Sequence, residues 1–242
     1  MAIKVKSGSE STILSVGAYR PARLVPNSEI VDLIDSSDEW IVQRTGIESR
    51  RFAGADESVV DMAIGAAEQA LTRAKLTIAD VDAVVVSTIT YPHQAPSAAT
   101  AVIQRMGHPT AAAFDISAAC AGFCYGVAMA HDMVRAGSAK KVLVIGVEKI
   151  SDFTDPTDRA TAFIFADGAG AVIIGESTEP GIGPVEWGSD SENRDAILMN
   201  PSWIEVRNTE TQLTKADVKW PNISQEGQKV FRWAVFSMSK AA

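Results

Sequence analysis

An α/β fold built on a parallel sheet is what these 242 residues predict, and three observations predict it. Residues 81–88, 111–117 and 142–147 are nearly continuous apolar runs rich in β-branched residues, the pattern of strands buried on both faces. Segments with apolar residues at helical spacing alternate with those runs. Strands alternating with helices imply a parallel sheet with helices on both sides. A hydrophobic content of 46% supplies a core for one large domain or two small ones.

Taken in order, Ile13-Leu14-Ser15-Val16 followed by Gly17 reads as a short strand and a turn. Ser28 or Asn27 caps a brief helix through Val31 and Ile34. Ser58 with Asp61 three residues on resembles a capping box, opening an amphipathic helix whose stripe is Val59, Met62, Ala63, Ala66, Ala70 and Leu71. The valine run 81–88 is a buried strand, 96–106 a helix, 111–117 a second strand, 121–136 a helix stopped by Gly137, and 142–147 a third strand. FIFADG and GAVIIGE read as two short strands meeting at Asp167-Gly168. Residues 188–222 are polar and read as irregular; Ser224 then caps a helix through Val230, Phe231, Ala234, Val235 and Met238.

Composition excludes several function classes. The longest apolar runs fall well short of the ~20 residues that cross a bilayer, and the first residues lack the apolar stretch of a secretory signal. A soluble, cytoplasmic protein with reduced thiols is expected, because two cysteines without a signal do not make a disulfide framework. No metal cluster is in evidence. A net charge of −8 repels phosphate backbones, so nucleic acid is not an expected partner.

Cys120 lies where a strand turns through Ala118 and Ala119 into a helix. Unpaired N–H groups and the positive end of a helix favour a thiolate there, and the small neighbours Ala118, Ala119, Ala121 and Gly122 leave room for a substrate carbonyl. An exposed N–H at the nucleophile would help to hold an oxyanion. The competing reading is a small buried residue. Cys124, one turn inside the helix, reads as core. Spacing leaves one histidine as a partner for Cys120: His131 is about 16 Å along the same helix and His108 sits in a solvated connection, whereas His93 in YPHQAP follows a parallel strand, where such sheets build sites.

SSDEWIVQRTGIESRR at 36–51, DISAACAGF at 115–123 and DPTDRATAFIFADGAGAVIIGE at 155–176 together resemble the β-ketoacyl-acyl carrier protein synthase III family. The resemblance covers essentially the whole chain. It implies a thiolase-like fold, αβαβα layers made from two similar halves, with residues 1–178 the first half and 179–242 the start of the second, incomplete in this chain. It implies an acyltransferase that takes an acyl group from acyl-CoA onto Cys120 and condenses it with malonyl-acyl carrier protein, as a homodimer and without a cofactor beyond the CoA thioester substrate. By the same motifs Trp40 and Arg159 match a pair that sandwiches the CoA adenine, Arg44 a CoA-contacting arginine, and Ser36 a hydroxyl on the nucleotide. Stacking an indole and a guanidinium on a purine is sound physics; a core anchor for Trp40 and an ion pair of Arg159 with Asp155 or Asp158 are the competing readings. The family's Pro-His-Gln-Ala-Asn and Gly-Asn-Thr-Ser motifs do not occur after residue 178, so the chain is expected to lack its last segment, to accept an acyl group and to decarboxylate poorly. Ala95 stands where some relatives carry an aromatic, which implies a roomier acyl site. A polyketide-priming ketosynthase or acyltransferase, and a non-catalytic partner subunit, are the rival functions.

Overall fold

The computed structural model describes residues 10–186, 188–210 and 219–241. In chain order its elements are β1 (Glu10–Tyr19), β2 (Arg23–Pro26), α1 (Asp38–Thr45), β3 (Ser49–Phe52), α2 (Val59–Ala74), β4 (Ala83–Ser87), α3 (Ala98–Arg105), β5 (Ala112–Ile116) and α4 (Gly122–Arg135). These are followed by β6 (Lys141–Glu148), β7 (Gly168–Ser177), β8 (Ile197–Asn200), α5 (Trp203–Glu210), β9 (Asn222–Gln225) and α6 (Gly227–Ala241), with short 3-10 turns between some of them. The described residues divide into two compact units. The first comprises the chain up to Arg23, Arg51–Lys149 and Asp167–Glu186; the second comprises Leu24–Arg50, Ile150–Ala166 and the residues beyond 186.

In the first unit the valine run becomes β4, an inner strand of a five-stranded sheet of order β1-β7-β6-β4-β5. β4 pairs in parallel with β5, Ala83 opposite Ala112, and with β6, Ala83 opposite Val142. Its side chains alternate: Val84 and Val86 join a core with α2 and α3, while Ala83 and Val85 join a second core with Ala130 and Val134 of α4. Helices therefore cover both faces, as the near-continuous apolar strands require. The sheet is not wholly parallel. β7 runs antiparallel to both β6 and β1, because no helix crosses the sheet between β6 and β7.

Two local expectations are corrected here. Gly17 is not a turn but lies inside the ten-residue β1. A Cβ there would stand 2.1 Å from the Ala66 carbonyl oxygen and 2.5 Å from the Ala70 nitrogen, so the glycine lets α2 pack directly on the strand. The α2 capping box is present as expected, with the Ser58 hydroxyl and the Asp61 carboxylate each bonded to the other's backbone N–H. FIFADG forms no strand. Its first residues belong to a turn in which the N–H groups of Thr161 and Ala162 donate to the Asp158 carbonyl, and β7 starts only at Gly168.

β2 and β3 form a two-stranded sheet, and in the second unit β8 pairs antiparallel with β9, Ile197 opposite Gln225. Asn27 does not cap a helix: it is buried, donates to Asp38 and to the Ile47 carbonyl, and accepts from Arg50. Ser224 is likewise no cap, since it lies within β9 and donates to the Leu198 carbonyl. The polar stretch after 188 contains β8 and α5, while residues 211–218 of it lie outside the described residues. On α6, Val230 and Ala234 are half-buried, Phe231 is 72% exposed, and the Met238 side chain lies outside the described residues.

Candidate active site

Cys120 sits in the first unit, in a 3-10 turn (Ala119–Ala121) between the end of β5 and the start of α4. The N–H of Thr88 donates to the Ile116 carbonyl at 3.2 Å, joining the ends of β4 and β5 at the point where the chain leaves the sheet. Ala119 takes a left-handed backbone, φ 43°, which a residue with a Cβ adopts only at a cost. At Gly122 an added Cβ would lie 2.0 Å from Ser87 Oγ, so only glycine lets α4 begin against the end of β4. Cys120 is exposed at the carboxyl ends of the parallel strands, where open α/β sheets place their sites.

Cys124 is also exposed, not core. The face of α4 turned to the sheet is the stripe Gly122, Gly126, Ala130 and Val134; Cys124 lies two residues on from Gly122, about 200° around a helix of 3.6 residues per turn. The histidines have other partners. His131 Nδ1 is 2.6 Å from Ser11 Oγ in the core. His108 is half-buried, not solvated, with Nε2 3.1 Å from the Val81 carbonyl oxygen. His93 is exposed and meets the Tyr91 ring edge-on at 5.4 Å.

Two carboxylates that the sequence reading passed over organise the surroundings of the turn. Glu148, the last residue of β6, accepts from the Ile89 N–H at 3.0 Å, the Thr90 hydroxyl at 2.6 Å and the Thr88 hydroxyl at 3.3 Å. Burial raises its pKa above the ordinary carboxylate value, against the lowering effect of these donors. Asp115, in β5, accepts from the N–H groups of Ala98 and Ala99 at 2.6 and 2.9 Å, at the start of α3. The segment 88–99, which contains YPHQAP, is thus pinned at each end by an acid from a neighbouring strand. The only sequence signal was an acid at or next to each strand's end, which is common to many solvated strand termini.

The second unit brings Trp40, Arg44 and Arg159 together. Ser37 caps α1 by accepting from the Trp40 N–H at 3.2 Å. Arg44, four residues on and on the same helix face, places its Cζ 4.8 Å from the centre of the indole ring. Arg159 brings its Cζ to 5.3 Å from the same centre, within the range of a cation–π contact. Phe163 supports the indole edge-on at 5.5 Å. Asp155 and Asp158 are occupied inside the Arg159 turn, accepting from Thr157 and from Ala160 and Thr161. Ser36 is different: its Oγ is buried and has no hydrogen-bond partner among the described residues. A purine between Trp40 and Arg159 needs two stacking gaps of about 3.5 Å each, so the guanidinium must lift by roughly 2 Å to admit one. Among the described residues no group of three or more His, Cys, Asp or Glu side chains could hold a metal ion, and no helix is long and apolar enough to cross a membrane.

Comparison with known proteins bears on this arrangement. The family profile described as 3-oxoacyl-[acyl-carrier-protein] synthase III matches residues 114–191, the span from Cys120 through Arg159. β-Ketoacyl-[acyl-carrier-protein] synthase III 1 of Streptomyces coelicolor is 52% identical over 98% of this chain and 70% of its own length. The Streptomyces glaucescens synthase III is 50% identical over 98% of this chain and 69% of its own. Among solved structures, the priming β-ketosynthase of the R1128 polyketide pathway superposes with a TM-score of 0.92 at 40% identity, over 100% of this chain and 71% of that one. The synthase III of Thermus thermophilus does so with a TM-score of 0.84 at 37% identity, over 95% and 70%. A cysteine on a strained turn at the strand ends, in a chain that is half identical to such enzymes over nearly its whole length, places the protein in the β-ketoacyl-acyl carrier protein synthase III family, with its thiolase fold.

Proposed function

We propose that Cys120 is the acyl acceptor of a condensing enzyme that initiates fatty acid synthesis. Its Sγ, as the thiolate, attacks the carbonyl of an acyl-CoA thioester, the new S–C bond forms as the bond to the CoA sulfur breaks, and CoA leaves as its thiolate, which takes up from water a proton equivalent to the one the cysteine released. Malonyl-acyl carrier protein then loses CO2. The electron pair of the broken C–C bond attacks the acyl-enzyme carbonyl, and the Cys120 thiolate departs as 3-oxoacyl-acyl carrier protein forms. Trp40 and Arg159 hold the adenine ring between them, Arg44 contacts CoA, and Ser36 reaches the nucleotide after its hydroxyl turns outward. The chemistry needs no cofactor beyond the thioester. Residues 1–178 are the first thiolase-like half and 179–242 the start of the second; the protein works in the cytoplasm as a homodimer, for which the edge strand β5 offers a backbone row that no strand among the described residues pairs with.

The observation that carries this reading is the exposed Cys120 on its strained turn. Incubation with acyl-CoA followed by mass spectrometry gives one acyl adduct, on Cys120, which Cys120→Ala abolishes; an adduct elsewhere, or none on the unaltered chain, overturns it. The priming ketosynthase at TM-score 0.92 favours a second reading, loading of a polyketide primer. With Ala95 in the loop before α3, longer or branched acyl-CoAs should load at least as well as acetyl-CoA, and a strict acetyl preference counts against the roomier site.

A further inference from the structure

We propose that Gln225 is a positioning residue for Arg159, setting how strongly the CoA nucleotide is held. Gln225 ends β9, opposite Ile197 of β8, and its side-chain Nε2 donates to the Ala160 carbonyl at 2.7 Å across 65 residues of sequence. Ala160 directly follows Arg159. Its own N–H donates to the Asp158 carboxylate at 2.9 Å, so both backbone polar groups of Ala160 are held, one from within the turn and one from the small sheet. The sheet end is itself anchored, with the Glu226 N–H donating to the Ala196 carbonyl at 2.9 Å. Fixing Ala160 fixes the direction in which the preceding arginine leaves the backbone, toward an indole whose centre is 5.3 Å from the guanidinium carbon. When a purine enters and the guanidinium lifts by roughly 2 Å to leave stacking contact on both faces, a held turn lets the side chain move while its root stays over Trp40. The group that does this must be a donor. A glutamate of the same size offers only acceptors to a carbonyl oxygen and would push the turn away.

The inference rests on the reading that Trp40 and Arg159 hold the adenine, and the test separates the two. The rate of Cys120 acylation is measured against the concentration of an acyl-CoA and of the corresponding acyl-pantetheine, which lacks the nucleotide, for the unaltered chain and for Trp40→Ala, Gln225→Glu and Gln225→Met. Loss of one hydrogen bond corresponds to roughly a threefold to tenfold change. Both Gln225 variants should raise the KM for acyl-CoA by that factor at an unchanged maximal rate, and the preference for the CoA thioester should fall toward that of Trp40→Ala. A general folding defect would lower both substrates together and leave the preference intact, which overturns the assignment. If Trp40→Ala abolishes the preference and neither Gln225 variant alters it, the positioning role is wrong and the nucleotide site stands; if Trp40→Ala leaves the preference unchanged, both fall.

Discussion

Glu148 shows how much one side chain decides near the cysteine. Removing it in Glu148→Ala leaves the Ile89 N–H and the Thr88 and Thr90 hydroxyls without their acceptor, at a cost of about 2–4 kcal/mol in urea unfolding. Its pH dependence has a definite sign. The folded state raises its pKa above the ordinary 4.5, through burial first of all, so the folded chain binds more protons than the unfolded one between those two values. The stability it contributes is complete below about pH 4.5 and declines as pH rises through the folded value. The unfolding free energy of the unaltered chain minus that of Glu148→Gln should therefore fall from pH 4 to pH 7; a rise would contradict the burial. Gly122 makes a second point at this scale. Gly122→Ala forces a Cβ to 2.0 Å from Ser87 Oγ and should cost about 1–3 kcal/mol in denaturant titration, with Ser87→Gly in the same chain recovering part of it.

Among the elements, α2 is the one whose ends, stripe and cap could all be read locally. Ser58→Ala removes half of its capping box and should lower stability by about 1 kcal/mol. Asp61 behaves oppositely to Glu148. The Ser58 hydroxyl and N–H, helped by Arg105, hold its pKa down at about 2, so what it contributes is present above pH 3.8 and is lost as pH falls through about 2. Because Asp61 is solvated, that contribution is screened, and added salt should shrink the part that comes from Arg105. α3 and α4 were legible for the same reason: α4 stops at Gly137, φ 74°, where a left-handed residue ends the turn. FIFADG forms no strand because its first residues are taken into the local turn built on Asp158, and Ser224 caps no helix because β9 pairs with β8, 26 residues back.

For the whole molecule, the sheet ends on one side at β5, whose outer edge has no strand beside it among the described residues. A homodimer joined along that edge would satisfy the row of backbone groups, so sedimentation at micromolar concentration should give twice the chain mass of 25.7 kDa. A monomer across the concentration range would exclude it. Phe231, Trp233, Val235 and Phe236 of α6 are all at least half exposed, apolar surface that should bind a hydrophobic dye, with Phe231→Ser and Phe236→Ser together lowering the signal.

The sequence by itself determined where β4 to β6 and α2 to α4 run and which cysteine stands at a strand-to-helix turn, because periodicity, capping and turn chemistry act over a few residues; the motifs at 36–51, 115–123 and 155–176 carried the resemblance to a condensing enzyme. Tertiary structure alone decided that β7 runs against its neighbours, that Gly17 makes room for α2, that Cys124 faces outward, and that Ser36 buries its hydroxyl. It also decided the work of Glu148, Asp115 and Gln225. Each satisfies backbone groups 16 to 65 residues away, and a hydrogen bond across that distance leaves no periodic trace in the chain, only a polar residue at the end of a strand.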